Sequence, residues 1–147
     1  MTERIAIRFV LLRESAQAPR RMTEAATGYD LHACLPGGGF LDVGPDPVRV
    51  PTGIAIEAPA GWDVQCRPRS GLSAQGVIAV LGTGDPDYRG EIFVTMYTVG
   101  RRPPYRIQHG DRIAQLVVTR AADVEWHLVE RLSETERGSG GYGSTGR

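Results

Sequence analysis

EIFVTMYT, residues 91–98, is the clearest strand in this chain, because it alternates at period two and is rich in β-branched and aromatic residues. Residues 53–57, 62–66 and 112–118 repeat this pattern, and each segment is bounded by Gly, Pro or Asp. No helical period runs long enough for a packed helix. The pattern therefore predicts an all-β fold, a sandwich or jelly roll of many short strands.

Weaker patterns complete the outline of the chain. Residues 5–12 alternate as a strand does, and residues 124–132 are predicted to form a further strand. Only residues 70–76 are typical of a short helix, although Gly71 weakens it. The composition changes once, at about residue 136, where a Gly-rich tail begins. We therefore expect one domain followed by a tail.

Composition limits the possible functions. A chain of 147 residues with 41% apolar content fits one domain with a hydrophobic core. The formal net charge is zero, which gives no support for nucleic-acid or membrane-surface binding, so any anion site must be local. The sequence contains no Lys, which excludes a Walker-A site or a Schiff base. The apolar run near the N-terminus is too short to span a membrane, and we expect a soluble, cytoplasmic protein.

The residues that most often bind metals or form disulfides show no such spacing here. Cys34 and Cys66 match no zinc motif and are predicted to be reduced, partly buried thiols. The histidines are expected to be ordinary surface or half-buried residues, and both tryptophans are expected in the core; these residues are His32, His109, His127, Trp62 and Trp126.

Residues 82–90, GTGDPDYRG, are predicted to form a hairpin with two carboxylates and an aromatic ring at its tip. An ordinary polar turn is one interpretation. In a functional interpretation, one Asp is a general base that activates water, and Tyr88 is a platform for a flat ligand.

Residues 68–72, PRSGL, follow a strand and open the predicted helix. Arg69, Ser70 and backbone N–H groups at a helix start form a plausible phosphate cradle, with Arg67 as a second cation. A helix start with a surface Arg is an equally good interpretation.

Two polar residues stand in or beside predicted strands. Gln115 lies inside the apolar segment 110–116, GDRIAQL, so it either bonds neighbouring backbone or faces a polar ligand. Asp30 follows a Gly turn in residues 26–31, ATGYDL, where an exposed carboxylate at a strand start is expected.

The tail, residues 137–147 with the sequence RGSGGYGSTGR, has five glycines that would let backbone N–H groups approach an anion. Arg137, Tyr142, Ser144 and Thr145 add a guanidinium, an aromatic face and two hydroxyls. A flexible tail without function is the alternative. Because ordering a Gly-rich segment costs conformational entropy, we expect it to be mobile until a ligand orders it.

In chain order, these five segments resemble the first to fifth motifs of the trimeric dUTPase family, which hydrolyses dUTP to dUMP and pyrophosphate: residues 26–31, 68–72, 82–90, 110–116 and 137–146. The reaction limits uracil incorporation into DNA and supplies dUMP for dTMP synthesis. The resemblance implies a distorted jelly roll of the β-clip type over residues 1–136 and a catalytic lid over residues 137–147. It also implies a homotrimer whose active sites are shared between subunits.

The resemblance further implies a role for each motif. Asp85 would activate water, Tyr88 would pack against the deoxyribose, and Asp30 would hold a water on a Mg²⁺ ion chelated mainly by the triphosphate. The tail of another subunit would close over the nucleotide. The residues implied to bind substrate are Arg69, Ser70, Gly71, Ala79, Gly82, Thr83, Gly84, Tyr88, Gln115, Arg137, Tyr142, Gly143, Ser144 and Thr145.

Two differences from the family pattern and two other functions complete the sequence-based picture. Gly84 stands where the family usually has a branched apolar residue, and Tyr142 replaces the commoner Phe. The related dCTP deaminase family shares the implied fold, but its acid/base signature is not found in this sequence. A catalytically silent, nucleotide-sensing trimer is the third hypothesis.

Overall fold

The computed structural model describes residues 4–141, which form eleven strands and one short helix. No helix in this range is long and apolar enough to cross a membrane. The elements, in chain order, are β1 Arg8–Leu11, β2 Tyr29–His32, β3 Phe40–Val43, β4 Val48–Pro51, β5 Ile54–Glu57, β6 Trp62–Arg67, α1 Ser70–Ser73, β7 Val77–Ala79, β8 Gly82–Gly84, β9 Phe93–Thr98, β10 Tyr105–Gln108 and β11 Arg112–Arg120.

The described strands form two main sheets and two ribbons, and every named strand pair is antiparallel. One main sheet has the order β2-β11-β6-β8, and the other has the order β4-β9-β7. The ribbons pair β1 with β5 and β10 with β3. This arrangement confirms the all-β prediction, and α1 confirms the predicted short helix.

The core explains why the segment at residues 91–98 is so clear in the sequence. In β9, Val94, Met96 and Thr98 are buried, whereas the residues between them are exposed or half-buried. Burying one face of each strand is the main stabilising term in such a fold. The same core takes fully buried side chains from several other strands: Leu31, Val43, Val50, Ile54, Val64, Val77, Ile107 and Ile113.

The two ends of the described chain differ from the expected pattern. β1 forms, but all four of its residues are exposed, and it pairs only with β5. The predicted strand at residues 124–132 is wrong, since no strand follows β11 in residues 4–141. Residues 121–139 are exposed throughout, and we name this segment the arm. After Arg120 the chain leaves the sheet, and residues 121–141 pair with no strand of the described chain.

The core prediction for the tryptophans is also incorrect. Trp126 lies in the arm and is 90% exposed, because the arm packs against no part of the described chain that would cover it. Trp62 is half-buried, and the guanidinium of Arg120 lies 5.0 Å from its ring centroid. The hydrophobicity of Trp126 thus predicted burial, but no described part of the same chain covers this residue.

The two cysteines match the prediction made from the sequence, whereas one histidine does not. Cys34 and Cys66 are both free and buried, and burial raises the pKa of Cys66 to about 11. His109 is half-buried, and its Nδ1 accepts a hydrogen bond from the Leu35 N–H at 3.0 Å. His32, in contrast, is only 5% exposed, and this burial lowers its pKa. The prediction for His32 was wrong because β2 faces the core.

Candidate functional site

A pocket of about 250 Å³ lies where the first, second and fourth of the quoted motifs meet. It is lined by small, apolar, charged and amide side chains: Met22, Ala26, Gly28, Asp30, Arg69, Ser70, Gly71, Arg112 and Gln115. Four of these, Asp30, Arg69, Ser70 and Gln115, are polar site residues predicted from the sequence. The fold therefore brings together side chains that are far apart in the chain.

Strand register explains this convergence. Gln115 on the central strand β11 lies opposite Asp30 on β2 and opposite Arg67 on β6. Two residues after Arg67 the chain reaches Arg69, which is the extended residue just before α1. Because adjacent strands are about 5 Å apart, this register places the three motifs beside one another.

Asp30 is buried at the pocket wall, not exposed as the turn signal indicated. It is 8% exposed, because β11 covers β2 on one side and its N–H donates to the Arg20 carbonyl at 2.8 Å on the other. Its Oδ1 lies 3.4 Å from Arg69 Nε, and its Oδ2 lies 3.3 Å from Arg112 Nη1. A carboxylate at this burial needs such partners.

Arg112 is a site residue that the motif-based reasoning missed. It pairs with Asp30, lines the pocket, and its carbonyl oxygen accepts a hydrogen bond from Arg69 Nη1 at 3.0 Å. Its place in the fourth motif was the available signal, but an Arg at a strand start is typical of a solvated end. The two guanidinia and one carboxylate leave one positive charge in excess, which favours a polyanionic ligand.

Gln115 bonds neighbouring backbone, which is one of the two alternatives that the sequence left open, and it stands where the other remains possible. Its Nε2 donates to the Pro68 carbonyl at 3.0 Å, and its side chain also lines the pocket. Gly28 makes room for it, because a Cβ at residue 28 would lie 1.9 Å from Gln115 Oε1. The first, second and fourth motifs are therefore interlocked by direct contacts.

The start of α1 adds backbone donors to the pocket. Ser70 and Gly71 line it, and the N–H groups of Leu72 and Ser73 both donate to the Arg69 carbonyl. The N–H groups of Ser70 and Gly71, which precede them, have no acceptor within the helix, as is usual at a helix start. Ser70 and Gly71 are exposed, so a phosphate can reach them.

The predicted hairpin of the third motif is present in a wider form. β7 and β9 pair with Ala79 opposite Met96, and the segment between them includes β8, which pairs with β6 instead. Ala79 is buried, whereas Gly82 and Thr83 are exposed. Residues 82–84 of the hairpin are therefore fixed to the sheet β2-β11-β6-β8.

Gly84 has a steric explanation at this position. It lies opposite Val64 on β6, and a Cβ on Gly84 would lie 3.1 Å from the Val64 carbonyl oxygen and 4.0 Å from Ile56 Cδ1. That approach is tighter than ordinary van der Waals contact. Glycine lets β8 lie close to β6, and a branched residue here would need a shift of one strand.

The structure does not bring Asp85, Tyr88 and Arg137 to the pocket of one chain. Asp85 and Tyr88 are exposed, and neither lines the pocket. The Tyr88 N–H donates to the Asp85 carbonyl at 3.0 Å, which closes the turn between them. Arg137 is exposed in the arm, where its Nε donates to the Gly140 carbonyl at 2.8 Å. The predicted tail residues Tyr142, Gly143, Ser144 and Thr145 lie outside the described residues.

The donor set defines what kind of metal binding the site could support. Within residues 4–141, no three His, Cys, Asp or Glu side chains gather into a group that could hold an ion. Asp30 is the carboxylate that lines the pocket. A single carboxylate fits an ion held mainly by a phosphate ligand, because Mg²⁺ commonly binds through one or two carboxylates, waters and substrate phosphates.

An all-β body of antiparallel sheets with a cationic, amide-containing pocket defines a candidate phosphate-binding protein. Residues 14–146 match the sequence model of the dUTPase family, and the chain belongs to that family. The deoxyuridine 5'-triphosphate nucleotidohydrolase of Desulfotalea psychrophila is 44% identical over 136 residues, covering 90% of this chain and 89% of that protein. The enzyme of the same name from Treponema pallidum is 47% identical over 135 residues, covering 89% and 91%.

Solved structures agree on the fold. A mutant dUTPase of Staphylococcus bacteriophage 80alpha with dUpNHpp has a TM-score of 0.82 and 23% identity, covering 97% of this chain and 99% of that chain. A mutant dUTPase from phage phi11 of S. aureus, described for the coordination of a structural Mg(II) ion, has a TM-score of 0.75 and 21% identity. The match covers 86% of this chain and 98% of that chain. The predicted family and fold class are confirmed.

Proposed function

We propose that this chain hydrolyses dUTP to dUMP and pyrophosphate. The observation that carries the proposal is the pocket in which Asp30 lies between Arg69 and Arg112, beside Gln115. A nucleoside triphosphate carries about four negative charges near pH 7, and such a ligand needs cations and N–H donors around its phosphates. The two nucleotidohydrolase relatives support the choice of dUTP.

The pocket residues hold the triphosphate in this proposal. Arg69 and Arg112 lie against phosphate oxygens, Gln115 donates from its amide, and Ser70 and Gly71 donate from the helix start. Asp30 keeps both guanidinia in place, and its carboxylate would help to hold a Mg²⁺ ion through water. When bound to the triphosphate, Mg²⁺ neutralises part of its charge and fixes its conformation.

Asp85 acts as the general base. Its carboxylate takes a proton from water, whose oxygen forms a bond to the α-phosphorus, while the bond from that phosphorus to the bridging oxygen breaks. Pyrophosphate leaves with the bonding electron pair, and dUMP retains the new oxygen. Asp85 is exposed, so water reaches it freely before the site closes.

The third motif selects base and sugar. The backbone from Ala79 to Gly84 hydrogen-bonds the edge of uracil, and the fixed position of β8 against β6 leaves no space for the thymine methyl. The ring of Tyr88 packs against the deoxyribose, where a ribose 2′-hydroxyl would collide with it. A rigid element is required here, because one methyl group changes binding by only ~1–3 kcal/mol through lost contact.

The proposed assembly is a homotrimer with shared active sites. In the arm, Trp126, Leu128 and Leu132 are 90%, 103% and 84% exposed, and such apolar side chains mark protein interfaces. A second copy is the occupant that would cover them and bring Asp85 to a neighbour's pocket. The segment 137–147 of another copy then closes over the nucleotide, with Tyr142 on uracil and Arg137, Ser144 and Thr145 on the outer phosphates.

Sedimentation measures this assembly directly. The chain is expected to sediment with three times the mass of one copy, and Leu128→Asp is expected to shift it toward smaller species at the same concentration. Glu130→Gln, a change at a polar position of the same arm, is the matched control. A monomer at micromolar concentration would contradict the shared site.

We place the reaction in the cytoplasm, where it removes dUTP before it enters DNA and supplies dUMP for dTMP synthesis. Two free thiols, Cys34 and Cys66, are consistent with a reducing compartment. The reaction needs no redox partner.

Pyrophosphate release from dUTP, dTTP, dCTP and UTP, with and without Mg²⁺, tests the proposed reaction. We expect release from dUTP in the presence of Mg²⁺ and little from the other nucleotides. Formation of a uracil nucleotide from dCTP would instead favour the hypothesis of a dCTP deaminase. Binding of dUTP without any release would favour a silent nucleotide sensor.

A further inference from the structure

The ring of Tyr88 lies against the backbone of Gly90. A Cβ at Gly90 would lie 2.3 Å from Tyr88 Oη, 2.5 Å from Cζ and 2.9 Å from Cε2. Gly90 is not among the glycines with positive φ, so its backbone conformation does not require glycine. The contact with the phenol ring explains the residue instead.

The hydroxyl of Tyr88 is held by the next residue. It donates a hydrogen bond to the Glu91 carbonyl at 3.0 Å. Tyr88 itself is 50% exposed, so little other packing restricts its ring. A half-exposed aromatic side chain has several rotamers available unless such contacts select one.

Glu91 in turn is fixed to the body of the protein. Its carboxylate accepts hydrogen bonds from the Arg13 guanidinium and from the Gly53 N–H, the latter at 2.8 Å. The next residue, Ile92, donates to the Ile54 carbonyl at 2.9 Å. Its carbonyl accepts from the Thr52 hydroxyl at 2.6 Å.

The side chain of Glu91 is only 14% exposed, which sets it apart from the exposed loop before it. Partly buried, charge-assisted hydrogen bonds are stronger than exposed ones. Residues 90–92 therefore form a firm base, and the phenol of Tyr88 is attached to that base by a steric contact and a hydrogen bond.

We propose that Gly90 and Glu91 are positioning residues that hold the Tyr88 ring where it excludes a ribose 2′-hydroxyl. The inference rests on the proposed contact between Tyr88 and deoxyribose and adds what keeps that contact rigid. If the ring is displaced, the loss falls mainly on the choice between dUTP and UTP, because phosphate binding takes place in a separate pocket.

The test compares kcat/KM for dUTP and for UTP, measured by pyrophosphate release. Gly90→Ala is expected to lower the dUTP/UTP ratio by about tenfold, since an added methyl group displaces the ring by more than its steric tolerance. Gly44→Ala is the matched control, because a Cβ at Gly44 meets nothing within 4 Å. An unchanged ratio in Gly90→Ala would overturn the inference.

A double-mutant cycle separates positioning from general damage. If Gly90 acts through Tyr88, the variant carrying both Gly90→Ala and Tyr88→Ala has the same dUTP/UTP ratio as Tyr88→Ala alone. A further fall in the double variant would overturn the inference. Tyr88→Phe keeps the ring and removes the bond to Glu91, and because this residue is half-exposed the variant folds; we expect the ratio to fall about threefold.

The outcomes also distinguish this inference from the proposed function. If the unaltered chain releases no pyrophosphate from dUTP, the proposed function fails. If Tyr88→Ala leaves the ratio unchanged, the contact between Tyr88 and the sugar fails, and the inference fails with it. If Tyr88→Ala lowers the ratio but neither Gly90→Ala nor Tyr88→Phe does, only the positioning role is wrong.

Discussion

Asp30 and Asp85 are the two carboxylates with proposed roles, and they lie in opposite environments. Asp30 is 8% exposed between two guanidinia, within a pocket built entirely from one chain. Asp85 is exposed on the third-motif loop and does not line that pocket. In the proposed assembly, one chain builds the phosphate-binding half of the site, whereas its Asp85 serves the site of another copy.

The strongest test of this division is Asp85→Asn. Asn cannot take the proton from water, so we expect kcat to fall by about 10³-fold, within the usual range for loss of a general base. Affinity for a non-hydrolysable dUTP analogue, measured by calorimetry, should stay within about threefold because the phosphate pocket is untouched. Asp87→Asn, on the same exposed loop, is the control and should keep kcat near that of the unaltered chain.

If Asp85→Asn lowered the affinity for the dUTP analogue as much as it lowers kcat, Asp85 would belong to the phosphate-binding groups. The contrast drawn between Asp30 and Asp85 would then be wrong. Full activity would remove the base assignment altogether.

Truncation after Glu136 tests the contribution of the tail. We expect kcat/KM for dUTP to fall by about 10²-fold, since a lid positions the substrate and excludes water. The core lies within residues 16–117, so the melting temperature and the circular dichroism spectrum should be unchanged. Removal of Arg147 alone is the control, because no role is proposed for it. An unchanged rate would refute the lid.

Mixing two inactive variants sharpens the result. If the tail and Asp85 reach one site from different copies, co-expressed Asp85→Asn and truncated chains form some sites with both groups intact. With random assembly, each group is intact in half of the sites, so about a quarter of the activity should return. No recovery in a confirmed mixed trimer would show that both groups come from the same chain.

The sequence predicted best those elements that are stabilised within one copy. β6 and β9 were recognised because their alternating residues face a core that the chain itself supplies, and β5 and β11 because they contain runs of buried apolar residues. The four-residue strands β3, β4 and β10 escaped recognition, since each buries only one residue, whereas β5, of the same length, buries three. The exposed arm was misjudged because its hydrophobic residues predicted burial, whereas the described residues of one chain leave them exposed.

The candidate site shows the same limit. Motif order was enough to select Asp30, Arg69 and Gln115, and register on β11 brings them together. Arg112 was missed because its contact with Asp30 depends on the pairing of strands remote in sequence. The interlocking of Gly28 with Gln115 is likewise a property of three dimensions. Residue types indicate that the site can bind phosphate. Contacts between paired strands determine which other residues hold the binding side chains in place.

Arg112→Gln tests whether the pocket around Asp30 binds the triphosphate. Removing one guanidinium should raise the KM for dUTP by about tenfold, because a charge-assisted bond to a phosphate contributes roughly that factor. The dependence of KM on salt should weaken as well, since one cation fewer is screened. Arg106→Gln is the matched control: this Arg is exposed and pairs with Asp42 on the ribbon formed by β3 and β10. An equal effect in both variants would point to bulk charge instead of a local site.

Gly28→Ala should have the smallest effect and tests whether the pocket is already assembled before substrate binds. The new Cβ would lie 1.9 Å from Gln115 Oε1, so the amide must move away from the Pro68 carbonyl. Because the displaced atoms are the far end of a flexible side chain, we expect KM for dUTP to rise only about threefold, with kcat nearly constant. In a Gln115→Ala background only the Cβ of residue 115, 3.2 Å from the new methyl group, remains in contact with it, and adding Gly28→Ala should then change KM little. If Gly28→Ala raises KM equally in both backgrounds, Gly28 acts through the backbone of β2, and the preformed contact between the first and fourth motifs is not what sets affinity.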